Sequence, residues 1–259
     1  DHRDLHLSIR RQRQMCIRDS CYKEGSRLPR FLNRLSETFK DSDIPLSIMT
    51  VDDGSGPEEA ALMTSLVKKL QKEYNFLLDP ILLKTNQGKG GAIYSGWDYA
   101  NEDTFNWIAF VDADGAISPS ETLRFLKGAT SDNAEKKICL WSVRVNEEGK
   151  SIKRTPIRNL LGNVFRIIVK CVFFIPVKDT QCGMKCIPLK AYREICNRLT
   201  ERRFVFDVEL AALLTRKGYE LKQIPIDWQE SPGSTVKLSS AIRMLISLFI
   251  IRIKLLFNR

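Results

Sequence analysis

The stretch Trp107-Ile108-Ala109-Phe110-Val111-Asp112-Ala113-Asp114-Gly115 carries two carboxylates, with one residue between them, directly after five apolar residues. The apolar run predicts a buried strand whose end delivers both carboxylates to the carboxyl edge of a sheet, where open α/β folds bind ligands. Two hard oxygen ligands suit Mg²⁺ or Mn²⁺ and leave positions for phosphate oxygens. A solvated Asp-x-Asp-Gly turn is the simpler alternative, because Asp and Gly are ordinary turn residues.

Strand and helix patterns alternate before this stretch. Helix-spaced apolar residues occupy 28–39 and 60–74, a short apolar strand covers 46–51, a second strand begins at 81–83, and a third helix runs from 91 to about 100. The alternation predicts an α/β fold, with a mostly parallel sheet flanked by helices and its ligand loops on one edge. Farther on, the patterns predict a strand at 138–145, helices at 157–174 and 206–217, a turn at 179–183 and a strand at 223–228.

We divide the chain into three parts: residues 1–20, an enzyme domain at 21–238, and a basic amphipathic helix at 239–259. The first twenty residues are polar and Arg-rich and show no strand or helix period, so we leave them out of the fold prediction. Residues 11–20 resemble a translated sequencing adaptor, which suggests that a native first strand was lost in gene assembly. A disordered basic tail is the alternative.

The composition limits the chemistry. With 41 basic and 31 acidic residues, the net charge of +10 favours an anionic partner such as a nucleic acid, nucleotide phosphates or an acidic lipid surface. Both histidines, His2 and His6, lie in the first six residues, which excludes Ser-His-Asp, Cys-His and His-metal sites from the folded body. The seven cysteines form no CxxC pair, and buried reduced thiols are the interpretation we prefer for Cys182 and Cys186.

The carboxyl-terminal segment 241–257 is apolar except for Ser247 and three basic residues. It is too short and too charged for a transmembrane helix. A helix of this kind can lie in a membrane interface, with its basic groups on anionic headgroups, or it can pack on the sheet as a buried helix. We expect membrane contact, because basic residues also recur through the apolar helix at 157–174. Nucleic-acid binding is disfavoured, since the basic residues alternate with aliphatic rather than exposed aromatic residues.

Three loops at the predicted ligand edge complement one another. Asp52 and Asp53 could accept hydrogen bonds from a base or a ribose, and Gly54 allows a tight turn. The segment Asn86-Gln87-Gly88-Lys89-Gly90-Gly91 offers close backbone approach and one cation for a phosphate, although it is not a Walker loop. Together with Asp112 and Asp114, these loops predict a nucleotide-sugar site.

The ordered motifs resemble those of the inverting family-two glycosyltransferases of the A-type fold, and within that family the dolichyl- and polyprenyl-phosphate sugar synthases of the β-glucosyl branch. The resemblance extends from about residue 21 to the end. It is carried by VDDGS (51–55), NQGKGGA (86–92), VDADGA (111–116), DTQCGMK (179–185) and FDVEL (206–210).

The resemblance implies a function and a set of roles. A hexose, glucose from UDP-glucose or alternatively mannose from GDP-mannose, would pass to a polyprenyl or dolichyl phosphate at the cytoplasmic face of a membrane, with Mg²⁺ or Mn²⁺ as cofactor and the protein bound peripherally. Asp112 and Asp114 would hold the metal, Gln181 would lie near the sugar, and Arg144 and Arg158 would grip the acceptor phosphate. The donor would also contact Tyr22, Glu24, Asp52, Asp53, Lys89, Gly90, Asp112, Ser234 and Lys237.

This sequence departs from the family pattern at three places. Ser20 and Lys23 stand where relatives have proline and asparagine around Tyr22. Ser234 is followed by Thr235 and Val236 before Lys237, so the lysine expected after Gly-Ser is displaced or missing. Ala116 stands where mannosyl relatives have a glutamine that assists the metal, which favours a glucosyl donor.

The reaction that the resemblance implies needs little or no general base, because a phosphate monoester is already an anion near neutral pH. Asp207 and Glu209 are candidates for sugar binding, or for a base if the acceptor is a hydroxyl, and are equally consistent with structural ion pairs. Two rival functions stay open at this point. One is a transferase of the same fold that acts on a polysaccharide or protein hydroxyl, and the other is a non-catalytic module that binds membrane surfaces.

Overall fold

A computed structural model describes residues 14–21, 27–145, 152–153, 156–229 and 238–257, with the backbone alone described for 14–21, 131, 152–153, 156–161 and 238–242. The strands are β1 (Gln14–Cys21), β2 (Leu46–Asp52), β3 (Ile81–Leu82), β4 (Phe105–Val111), β5 (Ile138–Val143), β6 (Ile152–Lys153), β7 (Met184–Pro188), β8 (Glu220–Pro225) and β9 (Trp228–Gln229). The α-helices are α1 (Leu28–Lys40), α2 (Pro57–Leu70), α3 (Lys89–Asp98), α4 (Pro119–Leu126), α5 (Ser131–Glu135), α6 (Pro156–Phe173), α7 (Leu189–Arg193), α8 (Phe206–Arg216) and α9 (Leu238–Phe257).

Seven strands form one mixed sheet in the order β3-β2-β1-β4-β7-β5-β8. Strands β1 to β4 are mutually parallel, and β5 is parallel to β8. Strand β7 is antiparallel to both of its neighbours, β4 and β5. A second, two-stranded sheet pairs β6 with β9. The predicted mostly parallel sheet is confirmed, and the antiparallel β7 was not predicted.

Hydrophobic cores cover both faces of the large sheet. Along β4, Ile108 and Phe110 belong to one core, while Trp107, Ala109 and Val111 belong to the other. Successive side chains of a strand point to opposite faces, so a strand buried on both sides has a continuous apolar sequence. This is why the apolar run 107–111 predicted β4 correctly.

The reversed direction of β7 brings distant motifs to one edge of the sheet. In the β4–β7 register Val111 pairs with Met184, so the 179–183 turn that precedes β7 lies beside the carboxyl end of β4. Because β5 is antiparallel to β7, the carboxyl end of β5 lies at this edge as well, followed by Arg144. Asp52 ends β2 at the same edge. One edge of the sheet therefore collects the loops that carry the charged motifs.

The largest differences from the sequence prediction concern β1, α2 and β8, which spans Glu220–Pro225 where a strand was predicted at 223–228. Residues 14–20, which the predicted fold leaves out, form β1 together with Cys21 at the centre of the sheet between β2 and β4, so the exclusion was wrong for these seven residues. Their apolar run, Met15–Ile17, is only three residues long and does not indicate a buried strand. Helix α2 begins at Pro57 rather than Ala60, since proline is preorganised for the first turn and Glu58 and Glu59 favour a helix amino terminus.

Helix α9 has two apolar faces. Leu248, Ile251 and Leu255 are buried in the core that also includes Val169 and Phe173 of α6. Other large apolar side chains of these two helices are exposed, namely Val164, Ile167, Ile246, Phe249, Ile250, Ile253, Leu256 and Phe257. Among the described helices, none is both long enough and apolar enough to cross a membrane.

Replacing a side chain by alanine should have a large effect on stability at the buried face of α9 and a small effect at its exposed face. Leu248 is 1% exposed and Phe249 is 60% exposed. We expect Leu248→Ala to lower the free energy of unfolding by about 2–5 kcal/mol, because it leaves a cavity in the core. The matched variant Phe249→Ala should change it by less than about 0.5 kcal/mol. Urea unfolding followed by circular dichroism measures both, and equal losses would contradict this assignment of the faces.

Candidate active site

Asp112 follows β4 and is held from two sides. The Lys89 ammonium lies 2.8 Å from Asp112 Oδ1 and 2.9 Å from Oδ2. On the other side, the Asp112 backbone N–H donates to the Gly183 carbonyl at 2.9 Å. A Cβ at position 183 would lie 2.4 Å from Asp112 Oδ2, so only glycine leaves room for the carboxylate. The first turn of α3 and the 179–183 turn therefore meet at Asp112.

Asp114 completes the carboxylate pair. Its Oδ1 accepts a hydrogen bond from the Ala116 N–H at 2.9 Å, which closes the turn that contains Gly115 at φ +73°. Burial, and next the charge of Asp112, raise the pKa of the Asp114 carboxyl above its ordinary value. A bound divalent cation would relieve this desolvation and repulsion.

The donor set fits one Mg²⁺ or Mn²⁺, since two hard carboxylates stand two residues apart on one turn. Within the described ranges, no cluster of three or more His, Cys, Asp or Glu side chains is arranged for metal binding.

Asp53 fixes the glycine-rich loop next to Asp112 and Asp114, the two carboxylates that we call the metal corner. Its Oδ1 accepts from the Gln87 N–H at 2.7 Å and its Oδ2 from the Gly88 N–H at 2.9 Å. Burial raises the pKa of Asp53, and the two backbone hydrogen bonds oppose that shift. Asp52 accepts from the Ser55 N–H at 3.2 Å and so orders its own turn. Both carboxylates predicted to contact the nucleoside thus also have structural partners.

Glycine is required in this loop by close packing. Gly88 has φ +87°, and a Cβ there would lie 2.7 Å from the Arg202 carbonyl oxygen. A Cβ at Gly90 would lie 2.6 Å from the Cβ of Phe206. The Gly91 N–H donates to the Arg202 carbonyl at 2.8 Å. The glycines therefore allow the amino terminus of α3 to pack directly against the amino terminus of α8.

Arg144 braces the 179–183 turn. Its Nε and Nη2 lie 2.6 Å and 3.0 Å from the two oxygens of Asp179, a bidentate pair that is mostly buried. Asp179 Oδ1 also accepts from the Gln181 N–H at 3.1 Å. The Arg144 guanidinium lies over the Trp228 ring at 5.3 Å. Arg144 was predicted to grip an acceptor phosphate, and its described contacts are those of a side chain that shapes the turn.

The sequence analysis missed Lys185. This side chain is fully buried in β7, and its Nζ lies 2.9 Å from Asp207 Oδ2 and 2.5 Å from the Cys182 carbonyl oxygen. Its ammonium is also 5.1 Å from the ring centres of Phe110 and Trp141. A lysine inside a five-residue apolar strand was the available signal, because a buried ammonium needs an acidic partner. Lys185 links the 179–183 turn to α8.

Three polar groups near this link differ in whether they have hydrogen-bond partners. Glu209 accepts from the N–H groups of Thr200 and Glu201 and from the Thr200 hydroxyl, so it is a structural residue of the loop before α8. In contrast, Asp207 Oδ1 and Gln181 Nε2 are buried and have no hydrogen-bond partner in the described part of the chain. Buried polar atoms without a partner are costly, which makes both atoms candidates for ligand contacts.

Contacts between adjacent loops thus link Asp53, Lys89, Gly90, Asp112, Arg144, Gln181 and Asp207. The hydrogen bonds of Asp52 with Ser55 and of Asp114 with Ala116 lie within the turns at the ends of β2 and β4. Arg158 lies in the first turn of α6, and its side chain is outside the described residues. Tyr22, Glu24, Ser234 and Lys237 also lie outside them. The predicted buried thiols are confirmed, since Cys182 and Cys186 are both buried and free.

A family model, glycosyl transferase family 2, matches residues 20–196, which include the DxD pair, Asp112 and Asp114, and the 179–183 turn. The chain belongs to this family. This family 2 glycosyltransferase is 31% identical over 235 residues to a dolichyl-phosphate β-glucosyltransferase of Trichomonas vaginalis, a match that covers 88% of this chain and 69% of that protein. It is also 31% identical over 247 residues to the dolichyl-phosphate β-glucosyltransferase of Dictyostelium discoideum, covering 92% of this chain and 73% of that protein.

Solved structures support the fold of this family 2 glycosyltransferase. Glucosyl-3-phosphoglycerate synthase from Mycobacterium tuberculosis, in complex with Mn²⁺, UDP and glucosyl-3-phosphoglycerate, superposes with a TM-score of 0.68 at 11% identity, over 93% of this chain and 80% of that one. The mannosyltransferase PcManGT from Pyrobaculum calidifontis, in complex with GDP-Man and Mn²⁺, gives a TM-score of 0.60 at 14% identity, over 93% and 64%. The predicted A-type α/β fold is therefore confirmed.

The contact between Gly183 and Asp112 predicts a localised defect. In Gly183→Ala the new Cβ would push the Asp112 carboxylate aside, and we expect Mn²⁺ binding to weaken by about tenfold or more, since metal sites tolerate little displacement of a ligand. The control is Gly218→Ala, where φ is +78° and no atom crowds the Cβ. It should destabilise the fold by about 1 kcal/mol and leave Mn²⁺ affinity unchanged. Equal Mn²⁺ affinities in the two variants, measured by calorimetry, would contradict the steric role of Gly183.

Proposed function

We propose that this glycosyltransferase transfers glucose from UDP-glucose to a dolichyl or polyprenyl phosphate at a membrane surface, with inversion at the anomeric carbon. The observation that carries the proposal is the convergence of the 86–91, 111–116, 179–185 and 206–209 segments on Asp112 and its neighbours, in a chain whose relatives are dolichyl-phosphate β-glucosyltransferases.

The chemistry of the described residues favours a phosphate acceptor over a hydroxyl acceptor. A hydroxyl needs a general base, and the chain has no histidine after His6. Asp207 is the remaining carboxylate candidate for a base, yet its Oδ2 is paired with the buried Lys185. A phosphate monoester attacks as an anion, so it needs no base at this position.

We assign the roles of individual residues as follows. Lys89 neutralises the Asp112 carboxylate while no metal is bound, and Asp53 holds the loop on which Lys89 stands. Gln181 Nε2 is a donor without a partner among the described residues and is suited to a sugar hydroxyl or a phosphate oxygen. Arg144 positions Gln181 through Asp179. The predicted donor contacts of Tyr22, Glu24, Ser234 and Lys237, and the phosphate contact of Arg158, stay part of the proposal.

Asp112 and Asp114 would hold Mg²⁺ or Mn²⁺, which when bound neutralises the departing diphosphate. The chain's own groups prepare this pair of carboxylates, because the close approach of Gly183 fixes the position of Asp112, and the Ala116 N–H fixes the orientation of Asp114. The attacking phosphate oxygen would approach the anomeric carbon from the face opposite the leaving nucleotide, and the bond to the nucleotide would break as the new C–O bond forms.

Membrane attachment is proposed for the exposed apolar faces of α6 and α9. The exposed apolar residues of these helices alternate with Arg166, Lys170, Arg243, Arg252 and Lys254. Aliphatic and aromatic side chains beside basic groups are suited to the interface of an anionic bilayer. We propose peripheral binding to the cytoplasmic face, where anionic lipids are abundant.

Transfer of labelled glucose tests the enzymatic proposal. With Mn²⁺, dolichyl phosphate and labelled UDP-glucose, we expect label in the lipid extract, and chelation of the metal should abolish it. Asp114→Asn keeps an acceptor for the Ala116 N–H but loses the charge, so transfer should fall about 100-fold or more, because metal stabilisation of charge contributes several kcal/mol.

The matched control is Asp103→Asn, an exposed residue of the 101–104 turn before β4, which should retain full transfer. A panel of UDP- and GDP-sugars, assayed in parallel, tests the identity of the donor. If no donor labels the lipid phase, or if Asp114→Asn transfers normally, the proposed reaction is refuted.

Vesicle binding tests the membrane surface separately. Phe249→Ser and Ile253→Ser remove exposed apolar area from α9, and each should weaken binding to anionic vesicles by about tenfold, because one such side chain contributes roughly 1–2 kcal/mol on insertion. Leu62→Ser on α2 is the control, since Leu62 is 62% exposed outside this surface. Co-sedimentation measures the partitioning, and an equal loss in Leu62→Ser would contradict a surface confined to α6 and α9.

A further inference from the structure

Five charged side chains extend from the Asp112–Asp114 pair into the core. Asp114 and Asp112 are followed by Lys89, then by Asp207, and finally by the fully buried Lys185. Within this series Lys89 is the cation between two acidic groups, Asp112 and Asp207. Its ammonium contacts both oxygens of Asp112, and it lies 6.0 Å from the ring centre of Phe206, the residue before Asp207.

Lys185 contacts one of the two carboxylate oxygens of Asp207 and leaves the other as an acceptor. Oδ2 accepts from Lys185, while Oδ1 is buried and makes no hydrogen bond within the described residues. Charge on Asp207 acts on Lys89: burial lowers the pKa of the Lys89 ammonium, but Asp112 and next Asp207 raise it to a net value above the ordinary one. Asp207 is therefore electrostatically coupled to Lys89 without a hydrogen bond between them.

The backbone brings the segments that carry Lys89 and Asp207 into contact. Gly90 lies so close to Phe206 that a Cβ at position 90 would be 2.6 Å from the Phe206 Cβ. Lys89 and Asp207 are the immediate chain neighbours of these two residues. A lysine side chain has four rotatable carbon–carbon bonds and can change partners without backbone movement. An exchange of one carboxylate for the other would thus need a new rotamer of Lys89 and no separation of the two segments.

We propose that Lys89 is an exchangeable counter-ion: it neutralises Asp112 when the metal corner is empty, and it moves to Asp207 Oδ1 when a divalent cation takes the Asp112 carboxylate. This inference rests on the proposed function for the presence of a metal. A partly buried ammonium that lost Asp112 without gaining another acceptor would cost several kcal/mol, and Asp207 supplies that acceptor. Lys185 keeps Asp207 in place, which makes Lys185 a positioning residue for the exchange.

The exchange makes a prediction about metal affinity alone, with no nucleotide and no acceptor present. Mn²⁺ must displace Lys89 from Asp112, so Lys89→Met should bind Mn²⁺ about tenfold more tightly than the native protein, given the strength of partly buried ion pairs. Asp207→Asn removes the charge that receives Lys89 but can still accept from Lys185, and it should weaken Mn²⁺ binding by about fivefold, as expected for a lost hydrogen bond to a charged group.

The double variant Lys89→Met/Asp207→Asn separates exchange from simple charge effects. In a chain without Lys89, no ammonium moves to residue 207, so Asp207→Asn should have no further effect on metal affinity. The double variant should therefore bind Mn²⁺ as tightly as Lys89→Met alone. Lys84→Met, which removes an exposed lysine from the loop before α3, is the control for net charge and should leave the affinity unchanged. Calorimetry or Mn²⁺ electron paramagnetic resonance measures the dissociation constants, and thermal unfolding verifies that each variant is folded.

The outcomes separate this inference from the proposed function. Additive effects of the two substitutions, or an unchanged affinity in Lys89→Met, overturn the exchange while leaving metal-dependent transfer intact. An unchanged affinity in Asp207→Asn reduces Asp207 to a sugar-binding or structural residue and also overturns it. If no variant binds Mn²⁺, the exchange and the metal component of the proposed function both fail, which the transfer assay with and without chelator establishes independently.

Discussion

The position of the Asp112 carboxylate depends on one steric constraint, the absence of a side chain at residue 183. The Gly183 carbonyl accepts a hydrogen bond from the Asp112 N–H. The Cβ of any other residue at position 183 would collide with Asp112 Oδ2. This contact is possible because β7 runs antiparallel to β4 and starts beside Val111. The 179–183 turn is thereby fixed to the carboxyl end of the strand that carries the DxD pair.

Buried charge holds the surrounding loops in place. Asp53 orders the 86–88 loop, Arg144 and Asp179 order the turn, and Lys185 and Asp207 join that turn to α8. Pairs of this kind contribute little net stability, because desolvation offsets their attraction, yet removing one partner leaves an uncompensated charge. Their effect is to specify geometry. Within the part of the chain that the structure describes, the same pairs leave Asp207 Oδ1 and Gln181 Nε2 without hydrogen-bond partners, as expected where a ligand supplies them.

Sequence patterns predicted the parts of the fold in which local and tertiary preferences agree. The apolar runs of β2 and β4 and the helical stripe of α1 correspond to elements buried as the patterns require. Strand β7 was missed because Lys185 interrupts its apolar sequence, and its compensation by Asp207 comes from 22 residues away. Strand β1 was missed because residues 14–21 contain charged positions where a central strand is normally apolar. The structural roles of Asp53 and Arg144 were likewise invisible, since their partners lie 34 and 35 residues away in the chain.

Coupled binding of metal and nucleotide at Asp112 is the sharpest test of whether the charged loops form a nucleotide-sugar site. We expect saturating UDP to tighten Mn²⁺ binding by about tenfold or more, because diphosphate oxygens complete a coordination sphere that two carboxylates leave open. We expect this coupling to disappear in Asp112→Asn. If Mn²⁺ and UDP bind independently, or if the coupling survives in Asp112→Asn, the convergence of the charged loops on Asp112 does not form the nucleotide-sugar site.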